Sequence, residues 1–375
     1  MKISRVRLEN FKRFKNLEIQ IKNKLTDDVA DQFLILGDNG TGKTTVLQAI
    51  ALCLSRITEK AHDASDFDWQ GWVFGRYEKW GTPIIELDVH FSDDEVSATQ
   101  EAADLWYRNR SHHAEGREFI KPGNAKQVTV RLEGGYYFIV NGKQQENIFQ
   151  FRGRSYASQL VKSGVADARD LFARLPGIFW FDQYRNLTSP QPDSLEKGRG
   201  HHGDDDDAQT QRRNYQYSIG VSRLRKHLNG WWMNQLAGGD SDWLMELENS
   251  YKKVFPGRSF SRPEPMFRGG TPTPEDYYFC LSDGSRTYDI EEMSAGEQSI
   301  FPMLYEFVRM QIRNSIVLID EIDLNLHPPL AQALLAALPT IGPHCQFLLT
   351  THSEAISSLV SPEEIYRLPG GRLCL

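Results

Sequence analysis

The chain has 375 residues, 40% hydrophobic and 25% charged, with 43 Lys and Arg against 50 Asp and Glu. A formal net charge of −7 argues against nucleic-acid binding over the whole surface, though not against a local basic track. Four scattered cysteines (Cys53, Cys280, Cys345, Cys374), with no C-x-x-C pair, no signal peptide and no apolar run of spanning length, read as reduced thiols in a cytoplasmic protein with no membrane segment and no structural metal.

Gln32-Phe33-Leu34-Ile35-Leu36 is a short apolar run that reads as a buried strand. Gly37-Asp38-Asn39-Gly40-Thr41-Gly42-Lys43-Thr44 follows it and fits G-x-x-x-x-G-K-[ST]. Thr45 to Leu54 then carries apolar residues at helical spacing. Strand, glycine-rich turn and helix is the arrangement that phosphate binding needs. Glycines let backbone N–H groups approach phosphate oxygens, and the helix N-terminus adds its dipole. Gly37, Asn39, Gly40, Thr41, Gly42, Lys43, Thr44 and Thr45 are therefore expected to hold ATP. Lys43 would reach the β- and γ-phosphates, and the Thr44 hydroxyl would sit on Mg²⁺.

Pro83 to Phe91 alternates as a strand, and residues 93–110 read as a helix. Gln127 to Leu132 and Tyr136 to Val140 read as a β-hairpin that extends an antiparallel sheet, with a second turn at Asn141-Gly142. Phe179 to Arg185 reads as a strand ending in polar groups. Leu187 to Gln211 holds Pro190, Pro192, Gly198, Gly200 and the run Asp204 to Asp207; it reads as a solvated flexible segment in preference to a cation site with His201-His202. Residues 215–255 read as helical, with Leu224, Leu228, Trp231, Trp232, Leu236, Trp243, Leu244 and Leu247 as a core or dimer stripe rather than a base-stacking platform. Arg258 to Pro274 reads as a loop.

The last quarter carries the second half of the chemistry. Met293-Ser294-Ala295-Gly296-Glu297-Gln298 reads as an N-cap and anion nest ahead of a helix from about Ser299 to Arg313. Ser315 to Ile319 is an apolar run ending in Asp320 and Glu321, expected to be a buried parallel strand beside the P-loop strand. Asp320 would hold Mg²⁺, directly or through water, and Glu321 would orient the attacking water. Phe347 to Ser353 is another apolar strand, and His352 at its end would sense or stabilise the γ-phosphate. Lys43, Glu321 and His352 are the expected catalytic residues.

With these motifs in this order, the chain resembles an ATP-binding-cassette ATPase of the SMC/RecF/OLD type rather than a transporter cassette. Met1 to Phe14 resembles that family's opening strand and N-F-[KR]-x-[FH] turn, which would bring Arg13 to the nucleotide phosphates or a nucleic-acid track. Asp323 matches the family's D-loop position, and Asp323 to Pro328 resembles the E-x-x-L-H-P tail of OLD-type and related defence ATPases. The motifs cover residues 1–54 and 290–355. The resemblance implies an α/β fold: an ABC-type P-loop NTPase head with a mixed sheet, plus a compact α-rich insertion lobe. It also implies that Ser294 and Gly296 act in trans on the γ-phosphate held by a second protomer, so that ATP clamps a homodimer. Ala295 stands where Gly is commoner and suits the nest only at negative φ. Gln70 and Gln183 are both candidates for a Q-loop glutamine.

The long stretch between Thr44 and Ser294 shows no sustained heptads, so a compact lobe is expected there rather than a coiled-coil arm. Expected domains are 1–92, the N-terminal part of the head; 93–275, the insertion; and 276–375, the C-terminal part of the head. The expected function is a slow, regulated ATPase acting as a dimeric switch in anti-phage defence, with a RecF-like DNA repair ATPase as the alternative and a transporter subunit the less supported third. The stretch after His352 leaves no room for the TOPRIM nuclease that OLD-type proteins carry there, so a nuclease or other effector is expected on a separate polypeptide. DNA or RNA is a candidate partner through three basic clusters: Lys12, Arg13 and Lys15; Arg108 to His113; and Arg212 to Lys226.

Overall fold

A computed structural model of the chain describes residues 1–61, 67, 69, 74–109, 119–165, 168–182, 205–239, 242–266 and 273–369. In chain order the elements are β1 (Lys2–Phe11), β2 (Phe14–Gln20), β3 (Gln32–Leu36), α1 (Lys43–Ile57), α2 (Phe74–Tyr77), β4 (Ile84–His90), α3 (Asp93–Asn109), β5 (Gln127–Glu133), β6 (Tyr136–Ile139), α4 (Gln144–Phe149), α5 (Gly153–Lys162) and β7 (Ile178–Phe181). They continue with α6 (Asp205–Leu236), α7 (Trp243–Val254), the short strands β8 (Ser259–Phe260), β9 (Glu264–Pro265), β10 (Tyr277–Tyr278), β11 (Cys280–Ser282) and β12 (Thr287–Asp289), and α8 (Ala295–Arg309). The last are β13 (Ile316–Ile319), α9 (Pro328–Ile341), β14 (Gln346–Thr351), α10 (Glu354–Ser357) and β15 (Ile365–Arg367). The α/β fold divides into two compact units: Met1–Asp182 with Met310–Ile322 and Gly342–Leu375, and Gln183–Arg309 with Asp323–Ile341. No helix among the described residues is long and apolar enough to cross a membrane.

The first unit holds an antiparallel sheet in the order β2-β1-β4-β5-β6 and a parallel sheet in the order β15-β3-β14-β13-β7. The 127–140 hairpin is present and extends the antiparallel sheet. The parallel order corrects one expectation. The strand leading to Asp320 does not lie beside the P-loop strand; β14 lies between them. β14 is buried along all six of its residues, which suits it to the middle of the sheet. α1 is apolar almost all round, as an enclosed helix must be. Its Val46, Leu47, Ile50 and Leu54 share one core with Ile3 and Leu8 of β1, Leu87 of β4, and Ile316, Leu318 and Leu348 of the parallel sheet.

Gln346 joins the two sheets. It is fully buried, accepts the Ile3 N–H on Oε1 (2.7 Å), and donates from Nε2 to the carbonyls of Ile3 (2.8 Å) and Ala30 (3.0 Å). Arg154 works similarly near β7. It is buried and donates to the carbonyls of Phe172, Leu175, Met310 and Gln311 at 2.9–3.0 Å, and burial lowers its guanidinium pKa to about 10.

The second unit holds α6, α7, α8 and α9 with two small sheets, β10-β9 and β12-β11-β8. The expected helix over 215–255 is broken between α6 and α7, where Gly238 takes φ +77°. α6 begins at Asp205, so the end of the expected flexible segment is helical; its residues 187–204 lie outside the described residues. Leu224, Leu228, Leu244 and Leu247 are buried and Trp231 stacks on Tyr305 (5.2 Å), so this part of the aromatic stripe is core. α8 starts at Ala295, earlier than expected, because Ser294 caps it there. The two units do not follow the boundaries expected at 92 and 275. Residues 93–182 fall with the P-loop, because β5 and β6 complete one sheet and β7 the other, while 276–309 and 323–341 fall in the second unit.

Candidate functional site

The P-loop leaves β3 at Leu36 and enters α1 at Lys43. Gly40 (φ +76°) and Gly42 (φ +104°) take left-handed conformations that side chains rarely adopt. A Cβ on Gly42 would meet Arg13 Cδ and Phe14 Cζ at 2.6 Å, so the β1–β2 turn packs directly on the loop and brings the exposed Arg13 to it. A Cβ on Gly37 would meet Thr41 Oγ1 at 2.7 Å. Thr41 closes the turn by donating its N–H (3.2 Å) and its hydroxyl (2.8 Å) to the Asp38 carbonyl. Asn39 and Gly40 lie at the exposed tip, and Thr44 and Thr45 are half-buried. Gly42, the N-cap, brings no side-chain oxygen to the first N–H groups of α1, and the first turn has no acidic residue. Those free N–H groups and the helix dipole suit an anion, so the loop fits a phosphate chain.

The expected catalytic groups converge on this loop. Lys43 is buried and donates to the carbonyls of Gly37 (2.9 Å) and Asp38 (3.3 Å), with Glu321 Oε1 at 3.2 Å. The other oxygen of Glu321, Oε2, lies 3.0 Å from Nδ1 of the exposed His352. Thr44 donates its hydroxyl to Asp320 Oδ2 at 2.8 Å, so the two expected metal ligands already meet. Although β13 is one strand removed from β3, Asp320 thus still reaches α1.

Thr350 is a contributor that sequence reasoning missed. It is fully buried, donates to Asp320 Oδ1 (2.6 Å) and accepts the Glu321 N–H (2.8 Å). Glu321 needs that support because it sits at φ +48°, unusual for a residue with a side chain. The signal was present: two threonines follow the apolar centre of β14 just before His352.

In the second unit, Ser294 and Glu297 form a reciprocal cap on α8. The Ser294 hydroxyl accepts the Glu297 N–H (3.4 Å), while Glu297 Oε2 accepts the Ser294 N–H (2.9 Å) and hydroxyl (2.7 Å). Glu297 Oε1 accepts the hydroxyls of Tyr251 (2.5 Å) and Tyr288 (2.7 Å). Burial opposes its charge, but these donors together outweigh burial and hold its pKa below the usual glutamate value. Ala295 is not among the positive-φ residues, the condition on which it suits the nest. Gly296 lies close to α9: a Cβ there would sit 3.1 Å from Leu330 Cδ2, which would have to give by a few tenths of an ångström. Past the D-loop position, the His327 carbonyl accepts the N–H groups of Leu330 and Ala331 at the start of α9.

The basic clusters fare unevenly. Lys12 is half-buried against Gln48, and burial lowers its pKa to about 8. Arg225 is buried and committed to Asp289 (2.6 Å) and Glu291 (2.8 Å), so it offers nothing to a phosphate. Residues 110–113 lie outside the described residues, as do Gln70, Gln183, Arg185, His201 and His202.

A family model described as "AAA ATPase domain" matches residues 1–152, and one described as "AAA domain, putative AbiEii toxin, Type IV TA system" matches residues 189–358. The chain is 22% identical to the "Retron Vc95 probable ATPase" of Vibrio cholerae serotype O1 biovar El Tor, over 97% of this chain and 73% of that protein. It is 22% identical to the "Retron Ec83 probable ATPase" of Escherichia coli, over 99% of this chain and 72% of that one. Among solved structures, an SMC head bound to the C-winged helix domain of ScpA aligns with TM-score 0.46 at 14% identity (96% of this chain, 92% of that one). The SMC head domain from Thermotoga maritima aligns with TM-score 0.44 at 14% identity (98% and 94%). With AAA-type ATPase domain models matching both parts of the chain and both relatives named probable ATPases, the chain is an ATPase.

Proposed function

We propose that the chain is an ATP-gated dimeric switch that acts with a separate effector protein, and with DNA or RNA as candidate trigger, in anti-phage defence. The convergence of Lys43, Thr44, Asp320, Glu321 and His352 on one P-loop carries the reading. ATP would lie along residues 37–45, with Arg13 at its edge and Lys43 turning from Glu321 to the β- and γ-phosphates. Thr44 and Asp320 would hold Mg²⁺. Among the described residues no group of three or more His, Cys, Asp or Glu could hold a metal by itself, so phosphate oxygens would complete its shell. When bound, the ion neutralises phosphate charge. Glu321, freed from Lys43, orients the attacking water, and His352 beside it senses the γ-phosphate. Ser294 and Gly296 open α8 and offer a second phosphate-binding helix end, directed to the nucleotide of a partner protomer. The retron names of the relatives favour defence over RecF-like repair.

The test is the ATPase rate and solution mass of wild type and Glu321→Gln, with and without duplex DNA. An ATP-dependent doubling of mass in Glu321→Gln supports the switch, and a rate raised by DNA supports the nucleic-acid trigger. A mass that ATP leaves unchanged overturns the dimer.

A further inference from the structure

We propose that Glu297, with the hydroxyls of Tyr251 and Tyr288, is a latch on Ser294, and that the two tyrosines are positioning residues that set how readily Ser294 is released to a phosphate. The inference rests on the reading of Ser294 as a phosphate contact.

Both donors of Ser294 point inward. Its N–H and its hydroxyl each reach Glu297 Oε2, at 2.9 and 2.7 Å. A serine hydroxyl has one proton. While that proton is on Glu297, Ser294 can show a phosphate only lone pairs, which repel it. Engagement therefore requires the proton to swing from the carboxylate to a phosphate oxygen.

The cost of that swing depends on what Glu297 keeps. The carboxylate is 2% exposed, and a buried charge that loses a donor is penalised heavily. After release three donors remain: Tyr251, Tyr288 and the Ser294 N–H. Arg258 Nε lies further off, at 3.8 Å from Oε1. A helix cap needs only the serine and the glutamate. Two more hydroxyls on the same carboxylate, one from α7 and one from β12, exceed that need. Removing either leaves Glu297 more dependent on the Ser294 hydroxyl, so the latch tightens.

The experiment uses the Glu321→Gln chain, in which ATP persists. The ATP concentration at half-maximal dimer is measured by mass photometry for this parent, for Tyr288→Phe, for Ser294→Ala and for the two combined. ATP affinity is measured separately with a fluorescent ATP analogue at protein concentrations where the chain is monomeric. Tyr288→Phe is expected to raise the dimer half-point about tenfold and to leave monomer affinity within about twofold. In the Ser294→Ala background, the same change should shift the half-point by less than about twofold, since no serine is left to release. A purely structural tyrosine would have the same effect in both backgrounds, and that result, or an unmoved half-point, overturns the latch alone. A parent that stays monomeric with ATP overturns the engagement reading and the latch together. Tyr251 is fully buried, so Tyr288, only half-buried, carries the test.

Discussion

Lys43 Nζ forms an ion pair with Glu321 Oε1 at 3.2 Å, while its hydrogen bonds go to the carbonyls of Gly37 and Asp38. Two of the ammonium's three protons are committed to carbonyls, and its charge is paired with Glu321. On the proposed reading, Glu321 takes the place at Lys43 that a phosphate oxygen would take, and ATP would displace it. Glu321→Gln should therefore bind ATP at least as tightly as wild type, while hydrolysis falls by about 10²–10⁴-fold. Lys43→Ala should abolish binding. Calorimetric titration with ATP, with phosphate release alongside, checks both; weaker binding by Glu321→Gln would show that the carboxylate is no competitor.

Thr350 couples the two acidic residues. Valine has nearly the same shape but no hydroxyl, so Thr350→Val leaves the Glu321 N–H and one Asp320 oxygen without this partner. The expected stability loss is about 1–3 kcal/mol by urea denaturation. Glu321 would also lose the bond that steadies its left-handed backbone. The rate constant should fall more than ATP affinity does, and an unchanged kcat would contradict the positioning role.

Gln346→Leu should be among the more damaging single changes in the first unit. It leaves the Ile3 N–H and the carbonyls of Ile3 and Ala30 without their glutamine partner. The expected loss is about 3 kcal/mol or more. Urea denaturation reads it, and a loss no larger than that of an exposed substitution would count against the clamp.

Lys12 gives a pH signature. Burial lowers its pKa from 10.5 to about 8. Between those values the unfolded chain holds a proton that the folded chain lacks, so stability rises with pH; below about 8 both hold it, and the cost of burying the charge is fully present. Stability of wild type relative to Lys12→Met should thus increase from about pH 7.5 to about pH 9.5. Paired urea curves at the two pH values test it, and a flat difference would mean that the lysine stays charged in the folded chain.

Much of the candidate site was legible because its motifs are local. Gly37 to Thr44 is one continuous turn, and Asp320 and Glu321 end one apolar strand, so spacing alone singled them out as candidates. What escaped depends on partners far along the chain. Thr350 looked like the tail of a strand, yet it bonds residues 29 and 30 positions away. Gln346 looked like a polar strand start and is a bond between sheets. The neighbour of β3 could not be read either, because β13 and β14 are both buried, largely apolar parallel strands with polar residues at their ligand ends. Glu297 was legible as a cap but not as the acceptor for Tyr251 and Tyr288, which come from a helix and a strand with no motif of their own. Arg225 reads as part of a basic run, and only its burial against Asp289 removes it.

β3 is flanked by β14 and β15, whose residues are the last of the sheet to leave a ribosome. The antiparallel sheet can pair completely once β6 has emerged, but the strand that feeds the P-loop then still lacks both neighbours. Translation runs at about 5–20 residues per second, so for many seconds a nascent chain carries the P-loop strand without either neighbour. Such an edge invites pairing with other chains. A P-loop strand with both neighbours in place is therefore expected only after β14 and β15 have emerged.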